Sequence, residues 1–124
     1  MPRRNLVTIE GLERLTEQLG ELPTAVREGA IKATHDEVEE TTDDMRRFAP
    51  YKTGELRDGI QSEHDEDGLG GNAVSTARHS FFVEHGTSST PEQPYALPAA
   101  EASRQRYPRR MREAIGGSIE EALR

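Results

Sequence analysis

Phe48-Ala49-Pro50-Tyr51-Lys52-Thr53-Gly54-Glu55-Leu56-Arg57 is the stretch at which the sequence changes its pattern. A long helical pattern precedes it, and short runs rich in Gly, Ser, Thr and Pro follow it. Pro50 has no backbone N–H, its ring would clash in a helix interior, and it disfavours helical geometry in the residue before it, so the preceding helix ends here. Thr53-Gly54 predicts a tight turn that delivers Leu56 and Ile60 to a new element.

Before this turn, the sequence predicts a helix over residues 24–48. Apolar or small side chains recur at helical spacing along it: Val26, Ala30, Ala33, Thr34, Val38, Thr41, Met45 and Phe48. Acidic side chains occupy the other face: Glu28, Asp36, Glu37, Glu39, Glu40, Asp43 and Asp44. Arg46 and Arg47 stand in the last turn, where cations favour the negative end of a helix. We expect a buried stripe that ends at Phe48 and an acidic face in solvent.

A shorter helix is predicted near the N-terminus, over residues 9–19. Ile9 and several leucines repeat there at three- and four-residue steps, and Thr8 suits an N-cap. Gly20 suits the end of the helix, and Pro23 follows as a break or as the first position of the next helix.

A third helix is predicted near the C-terminus, over residues 98–115, with Pro98 in its first turn. Gly116-Gly117 should interrupt it. Ser118 and Glu121 have the spacing of a capping box, which predicts a last short turn of helix.

Two strands are predicted after the Pro50 turn, over residues 60–66 and 71–77, joined by Asp67-Gly68 as a two-residue hairpin loop. Residues 88–94, rich in Pro, Ser and Thr, predict a loop. The densest apolar cluster should be buried in the core or in a subunit interface: Phe81, Phe82 and Val83. Together the elements predict an α+β fold, with long N-terminal and C-terminal helices packed on a small antiparallel sheet.

The composition limits the classes of function. Only 32% of residues are hydrophobic, against about 45–50% in ordinary domains with Gly counted, so part of the stability is expected from neighbours in an assembly. The net charge of -7 argues against a general nucleic-acid binder. The absence of cysteine excludes disulfides and thiolate sites. No apolar run suits a membrane span or a signal peptide, so we expect a soluble protein made in the cytoplasm.

Two groups of titratable residues are candidates for chemistry. His64 lies among carboxylates, but no spacing there matches a metal loop, and a solvated hairpin tip explains the polarity. His79, Glu84 and His85 offer two imidazoles and a carboxylate, the ligands that a small metal-dependent hydrolase would use. The two histidines are six residues apart rather than the four of helical zinc motifs, so we expect packing or hydrogen-bonding roles. Ser80 and Ser89 lack the strand–turn setting of an activated nucleophile.

Residues 101–112 are strongly basic, with Glu101 alone opposing five arginines. These arginines are candidate subunit-interface residues that would meet the acidic face of the long helix of the next subunit: Arg104, Arg106, Arg109, Arg110 and Arg112. The alternative is a solvated helix whose arginines pair with acidic neighbours. Contact with DNA phosphates is a minor alternative.

Three sequence blocks follow one another between Ala49 and Ala99. They are Ala49-Pro50-x-x-Thr53-Gly54-x-Leu56-Arg57-x-x-Ile60, Phe82-Val83-Glu84-x-Gly86-Thr87 and Gln93-Pro94-Tyr95-x-x-Pro98-Ala99. Together they resemble the small tail-component family of tailed bacteriophages, over about residues 9 to 115. Gly59, Ser80, Phe81 and Tyr95 depart from the residues usual in that family, which affects local packing.

The resemblance implies a protein that is not an enzyme, binds no cofactor and forms one domain over residues 1–124. Pro50 and Gly54 would then serve the turn, Glu84 with Gly86-Thr87 a buried polar junction, and Pro94 to Ala99 the docking of the last helix. The residues to which the resemblance gives structural roles are Pro50, Thr53, Gly54, Leu56, Arg57, Phe82, Val83, Glu84, Gly86, Thr87, Pro94, Tyr95 and Pro98.

The resemblance also implies a place in the virion. Members of the family are described as head–tail joining or tail-completion components at the neck of long-tailed phages. We therefore expect a homo-oligomeric ring, sixfold or twelvefold, assembled in the host cytoplasm and built into the neck. Its partners would be head-closure or connector proteins and tail-terminator or tail-tube proteins, with genome DNA passing through the lumen without specific binding. A hydrolase, or an adaptor or antitoxin-like binding module outside the virion, is the alternative.

Overall fold

A computed structural model describes residues 5–9, 24–50 and 54–122 of the 124-residue chain. The elements in order are β1 (Asn5–Ile9), α1 (Thr24–Phe48), α2 (Glu55–Asp58), β2 (Ile60–His64), β3 (Gly71–Ser75), α3 (Ser80–His85) and α4 (Ala96–Ala122). Helix α1 spans the range that the sequence predicts. Long helices combined with a small antiparallel sheet confirm the α+β fold class.

The three strands pair in the order β1-β3-β2, and β3 is antiparallel to both neighbours. Val7 and Ser62 both pair with Ala73, so they share one face of the sheet. The main hydrophobic core contains Val7 and Ala73 together with Val38 of α1. A Cβ atom on Gly71 would lie 2.7 Å from a Val38 methyl group, so the glycine lets α1 lie close against the sheet.

Strand β1 occupies a place where the sequence analysis does not predict a strand. Ile9 is its last residue and pairs with Gly71, so the prediction that Ile9 begins a helix is wrong. Thr8 likewise pairs with Asn72 instead of capping a helix. The remainder of the helix predicted over 9–19 lies outside the described residues.

The hairpin between β2 and β3 has a longer loop than Asp67-Gly68 predicts. The strands end at His64 and begin again at Gly71, and the Asp65 N–H donates to the Gly70 carbonyl across the base of the loop. The reason is Leu69, which is buried against α1 beside Ala30. Its burial draws the loop onto the helix, so the tip is not wholly solvated.

Helix α4 is longer than predicted and runs through Gly116-Gly117 without a break. The Ser118 hydroxyl donates to the Ala114 carbonyl at 2.9 Å, one turn earlier, so Ser118 does not cap a new helix. Ala114 and Ser118 lie against Gly29 of α1. Close packing between the two long helices therefore holds this end of α4 in helical form. Within the described parts of the chain, every helix is too short or too polar to span a bilayer.

The aromatic side chains do not all lie where the sequence analysis places them. Phe48 is 38% exposed, because the buried stripe of α1 continues from Met45 to Ala49, four residues on, instead of to Phe48, three residues on. The guanidinium of Arg47 covers the Phe48 ring at 5.0 Å. Phe82 is 55% exposed, so it is not part of the core of this chain, and its burial in a subunit interface stays a prediction.

Candidate functional site

The three sequence blocks meet in space around one cavity of about 120 Å³. Pro50, Gly54 and Leu56 come from the first block, Val83 from the second and Gln93 from the third. His79, Thr90 and Pro91 complete the lining. We call this region the motif corner: Ala49, Pro50 and Gly54, helices α2 and α3, the loop of residues 86–94 and the first turn of α4.

Gly54 is the described part of the turn that the first block predicts. Gly54 has φ +83° in front of α2, a left-handed conformation that favours glycine. Leu56 on α2 is buried in the main core, and Ile60 begins β2 beside it. Arg46 of α1 donates to the Ile60 carbonyl at 2.8 Å, which ties the end of the long helix to the sheet. Thr53 lies outside the described residues.

The centre of the motif corner is the buried carboxylate of Glu84. One oxygen accepts the N–H groups of Tyr95 and Ala96 at 2.9 and 2.8 Å, and the other accepts that of Leu97 at 3.1 Å. These are donors at the start of α4 that have no partner within the helix, and the positive end of the helix dipole favours the negative charge. Glu84 therefore acts as the N-terminal cap of a helix that begins twelve residues later, at Ala96.

The second and third blocks are also joined by the loop between them. The Gln93 N–H donates to the Val83 carbonyl at 2.8 Å, and the Thr87 hydroxyl accepts the N–H of Thr90 at 3.0 Å. Tyr95 is fully buried, and its hydroxyl donates to the Ser80 carbonyl at 3.4 Å. The predicted polar junction around Glu84 and the docking of the last helix are thus one hydrogen-bonded unit.

The ligand atoms of His79, Glu84 and His85 do not come together at the spacing of a metal site. Glu84 is occupied by backbone donors, His79 precedes α3, and the exposed His85 packs its ring against Phe81. Among the described residues, three side chains elsewhere bring ligand atoms within 4.8 Å of one another: His35, Glu39 and His64. The sequence did not reveal this group, because His64 stands 25 residues after Glu39 in the chain. The four-residue step from His35 to Glu39 was the available signal.

The arginines of α4 divide into two sets. Arg106 donates to Glu37 at 2.7 Å and to Asp44 at 3.0 Å, and Arg110 bonds both Glu37 and Glu40. Glu37 is fully buried and Asp44 nearly so, so the prediction that they lie on a solvated acidic face is wrong. The carboxylates can be buried because two guanidinium groups of the same chain satisfy them. The exposed arginines are Arg104, Arg109 and Arg112.

Two titrating groups on this helix have shifted pKa values. Burial disfavours the charged form of Arg106, but hydrogen bonds and charges from Glu37 and Asp44 outweigh it and raise the Arg106 pKa above its ordinary value. Burial raises the pKa of Tyr107, whose hydroxyl shares a 2.7 Å hydrogen bond with that of Thr34. Both groups therefore lose their protons at a higher pH than the same groups in water.

Large apolar side chains are exposed at the motif corner and beside it. Phe82 lies two residues before Glu84, and Leu97 donates its own N–H to Glu84 while 55% of the residue stays exposed. Phe48 lies two residues before Pro50. The corner thus combines a rigid backbone with uncovered apolar groups, which is typical of a surface that docks another protein.

Comparison with known proteins identifies one family. Residues 13–86 match the family described as "Bacteriophage HK97-gp10, putative tail-component". The match covers the first sequence block and the second as far as Gly86, which include most of the motif corner. No curated protein and no solved structure matches the chain. The match covers more than half of the 124 residues, and the chain belongs to this family of bacteriophage tail components.

Proposed function

We propose that the protein is a structural subunit at the head–tail junction of the virion, where copies of it form a closed ring that joins the head connector to the tail. The family supports a structural role in a phage. The observation that carries the proposal further is the motif corner, whose central carboxylate is used to hold backbone in place and whose apolar side chains stay uncovered.

The occupant of the uncovered apolar surface is a second copy of the chain. Phe82 and Leu97 each expose more than half of their surface, which a subunit with so few hydrophobic residues would cover on assembly. A ring repeats one heterologous interface until it closes, so the motif corner of each subunit would meet a different face of its neighbour.

Charge supports the same arrangement. Arg104, Arg109 and Arg112 stay exposed on α4 after Arg106 and Arg110 have been paired inside the chain. Asp43 and Glu28 are exposed on α1. Opposite charges on different faces of one subunit favour head-to-tail contact between copies and set its orientation.

The remaining partners follow from the position at the neck. One face of the ring, sixfold or twelvefold, would contact head-closure or connector proteins, and the other would contact tail-terminator or tail-tube proteins. With a net charge of -7, a lumen lined by acidic groups would let genome DNA pass by like-charge repulsion, without specific binding.

The test is the oligomeric state of the purified protein, alone and with its neck partners, measured by native mass spectrometry and light scattering. We expect a closed oligomer of defined copy number, and we expect Phe82→Asp with Leu97→Asp to release folded monomers. Gln61→Asp, an exposed position on β2, is the matched control and should assemble normally. A wild-type protein that stays monomeric at all concentrations and with all partners would refute the ring.

A further inference from the structure

Two side chains of α1 and one of β2 come together at the surface, outside the contacts between α1 and the arginines of α4. His35 and Glu39 stand one turn apart on α1, and His64 reaches them from the end of β2. His64 Nε2 lies 2.7 Å from Glu39 Oε1, and the ligand atoms of all three residues lie within 4.8 Å of one another. Two imidazoles and a carboxylate at this spacing are ligands that transition metals bind.

The fold places this group through the strand register. Ser62 and His64 lie on the same face of β2 as the buried Ile60, and both side chains contact Glu39 of α1. The Ser62 hydroxyl donates to Glu39 Oε1 at 2.9 Å and fixes the carboxylate. Asp36 Oδ1 lies 3.6 Å from His35 Nδ1. Metal-binding carboxylates and imidazoles are usually oriented by such neighbours, which leave the other ring nitrogen for the ion.

We propose that His35, Glu39 and His64 form a Zn²⁺ site that ties α1 to the β2–β3 hairpin. Two histidines and one carboxylate fill three positions of a tetrahedral ion, and water fills the fourth. Its ligands come from two elements, so the ion would hold the hairpin against the helix and stabilise the contact between them. This inference stands apart from the proposed ring, because it rests on different residues.

Binding requires a small rearrangement of the rings. The imidazoles of His35 and His64 are stacked, with centroids 4.4 Å apart and planes inclined by 10°. A lone pair lies in the plane of its ring, so two parallel rings cannot direct their nitrogens at one ion. The His35 side chain is 57% exposed, so it has room to turn toward Glu39, and the 2.7 Å hydrogen bond between His64 Nε2 and Glu39 Oε1 must open to admit the ion.

The experiment is calorimetric titration of the tag-free full chain with ZnCl₂ at about pH 7.5, where most imidazoles are neutral. Thermal unfolding is followed in parallel. We expect one ion per chain and a raised unfolding midpoint, because a ligand that binds only the native state stabilises it. His35→Gln and His64→Gln should each lower the affinity at least about tenfold, and Ser62→Ala about tenfold through loss of carboxylate orientation.

The matched controls are His79→Gln and His85→Gln, which change histidines outside the group and should bind Zn²⁺ like the wild type. Circular dichroism without zinc shows whether each variant is folded. Two outcomes would overturn the site: absence of saturable binding by the wild type, or equal affinity in the folded His64→Gln protein. The second would mean that zinc associates with the acidic surface in general.

Discussion

Glu84 and Glu37 show two ways in which a carboxylate is tolerated in the interior. Glu84 is held by three backbone N–H groups at the start of α4, whereas Glu37 is held by the guanidinium groups of Arg106 and Arg110. An isolated buried charge would cost several kcal/mol, so each carboxylate depends on its partners. Removing either side of such a contact leaves the other side buried and unpaired.

We predict that Glu84→Ala lowers the free energy of unfolding by about 3 kcal/mol, because charged hydrogen bonds and a helix cap are lost together. Urea denaturation followed by circular dichroism measures the change. Glu113→Ala, an exposed glutamate on α4, should stay within about 0.5 kcal/mol of the wild type. A loss no larger in Glu84→Ala than in Glu113→Ala would contradict the capping role.

The raised pKa of Tyr107 predicts a loss of stability in alkali. A tyrosine whose folded pKa is raised contributes stability that is complete below the unfolded pKa of about 10 and is lost as the pH rises through the folded value. Tyr107→Phe loses the Thr34 hydrogen bond, about 1 kcal/mol, but cannot ionise. We therefore expect the stability gap between wild type and variant to shrink above pH 10.

The measurement is urea denaturation at a series of pH values. Thr34→Val is the control, since it breaks the same hydrogen bond and keeps the phenol, so its stability should still fall in alkali. A constant gap between wild type and Tyr107→Phe across this range would show that Tyr107 titrates normally.

The packing of α1 against α4 is the most extensive contact between elements, and ion pairs between Arg106, Arg110 and Glu37 lie at its centre. Arg106→Leu should lower the free energy of unfolding by about 3–5 kcal/mol, because Glu37 is left buried with a weakened partner set. Adding Glu37→Leu should restore part of this loss, so the two effects are far from additive. Arg109→Leu, exposed on the same helix, should change stability by less than about 0.5 kcal/mol. Additive losses would contradict the coupling.

Two glycines in and near α4 should respond in opposite ways to alanine. Gly86 has φ +77° and ψ 173°, and a Cβ would lie 2.8 Å from the Glu92 nitrogen, so Gly86→Ala should cost about 2 kcal/mol or more. Gly116 lies inside α4 with open space around it, so Gly116→Ala should stabilise by up to about 1 kcal/mol. Thermal unfolding of both variants checks the signs, and a destabilised Gly116→Ala would contradict an unbroken helix.

Elements with a strong local period were predictable, and those fixed by distant contacts were not. Helix α1 follows from its apolar spacing and from Pro50. Strand β1 has five residues, and its partners in β3 stand more than sixty residues later, so its own sequence carries a weak signal. The end of α4 was missed because packing against Gly29, rather than local propensity, keeps Gly116-Gly117 helical.

At the scale of the whole molecule, the order of the sequence blocks indicated the family, but not how the blocks meet. The cap that Glu84 provides for α4 needs a carboxylate and a helix start that are brought together only by the folded loop. The pairing of Arg106 with Glu37 inside one chain was open from the sequence, because the same two helix faces could meet between subunits.

In the proposed ring, the arginines of α4 that are not paired within the chain should contribute attraction between subunits. We predict that replacing Arg104, Arg109 and Arg112 with Glu weakens assembly and that moderate salt weakens the wild-type oligomer, since exposed charges are screened. Sedimentation at several salt concentrations measures both effects. Glu66→Lys, a charge reversal in the exposed loop between β2 and β3, serves as the control. Assembly unchanged in the triple variant would remove these arginines from the interface.

Contacts between segments that are distant in the sequence also determine when the chain can fold during its synthesis. Strand β1 can pair only once β3 has been synthesised, and Glu37 of α1 can pair only once Arg106 has been synthesised. Both contacts therefore form only after most of the chain has left the ribosome. Pairings between distant segments are slow to form. A nascent chain that carries α1 without α4 cannot bury Glu37 and Asp44, so it should remain open. A chain that lacks α4 therefore does not fold, and only a chain that contains α4 can assemble with other subunits.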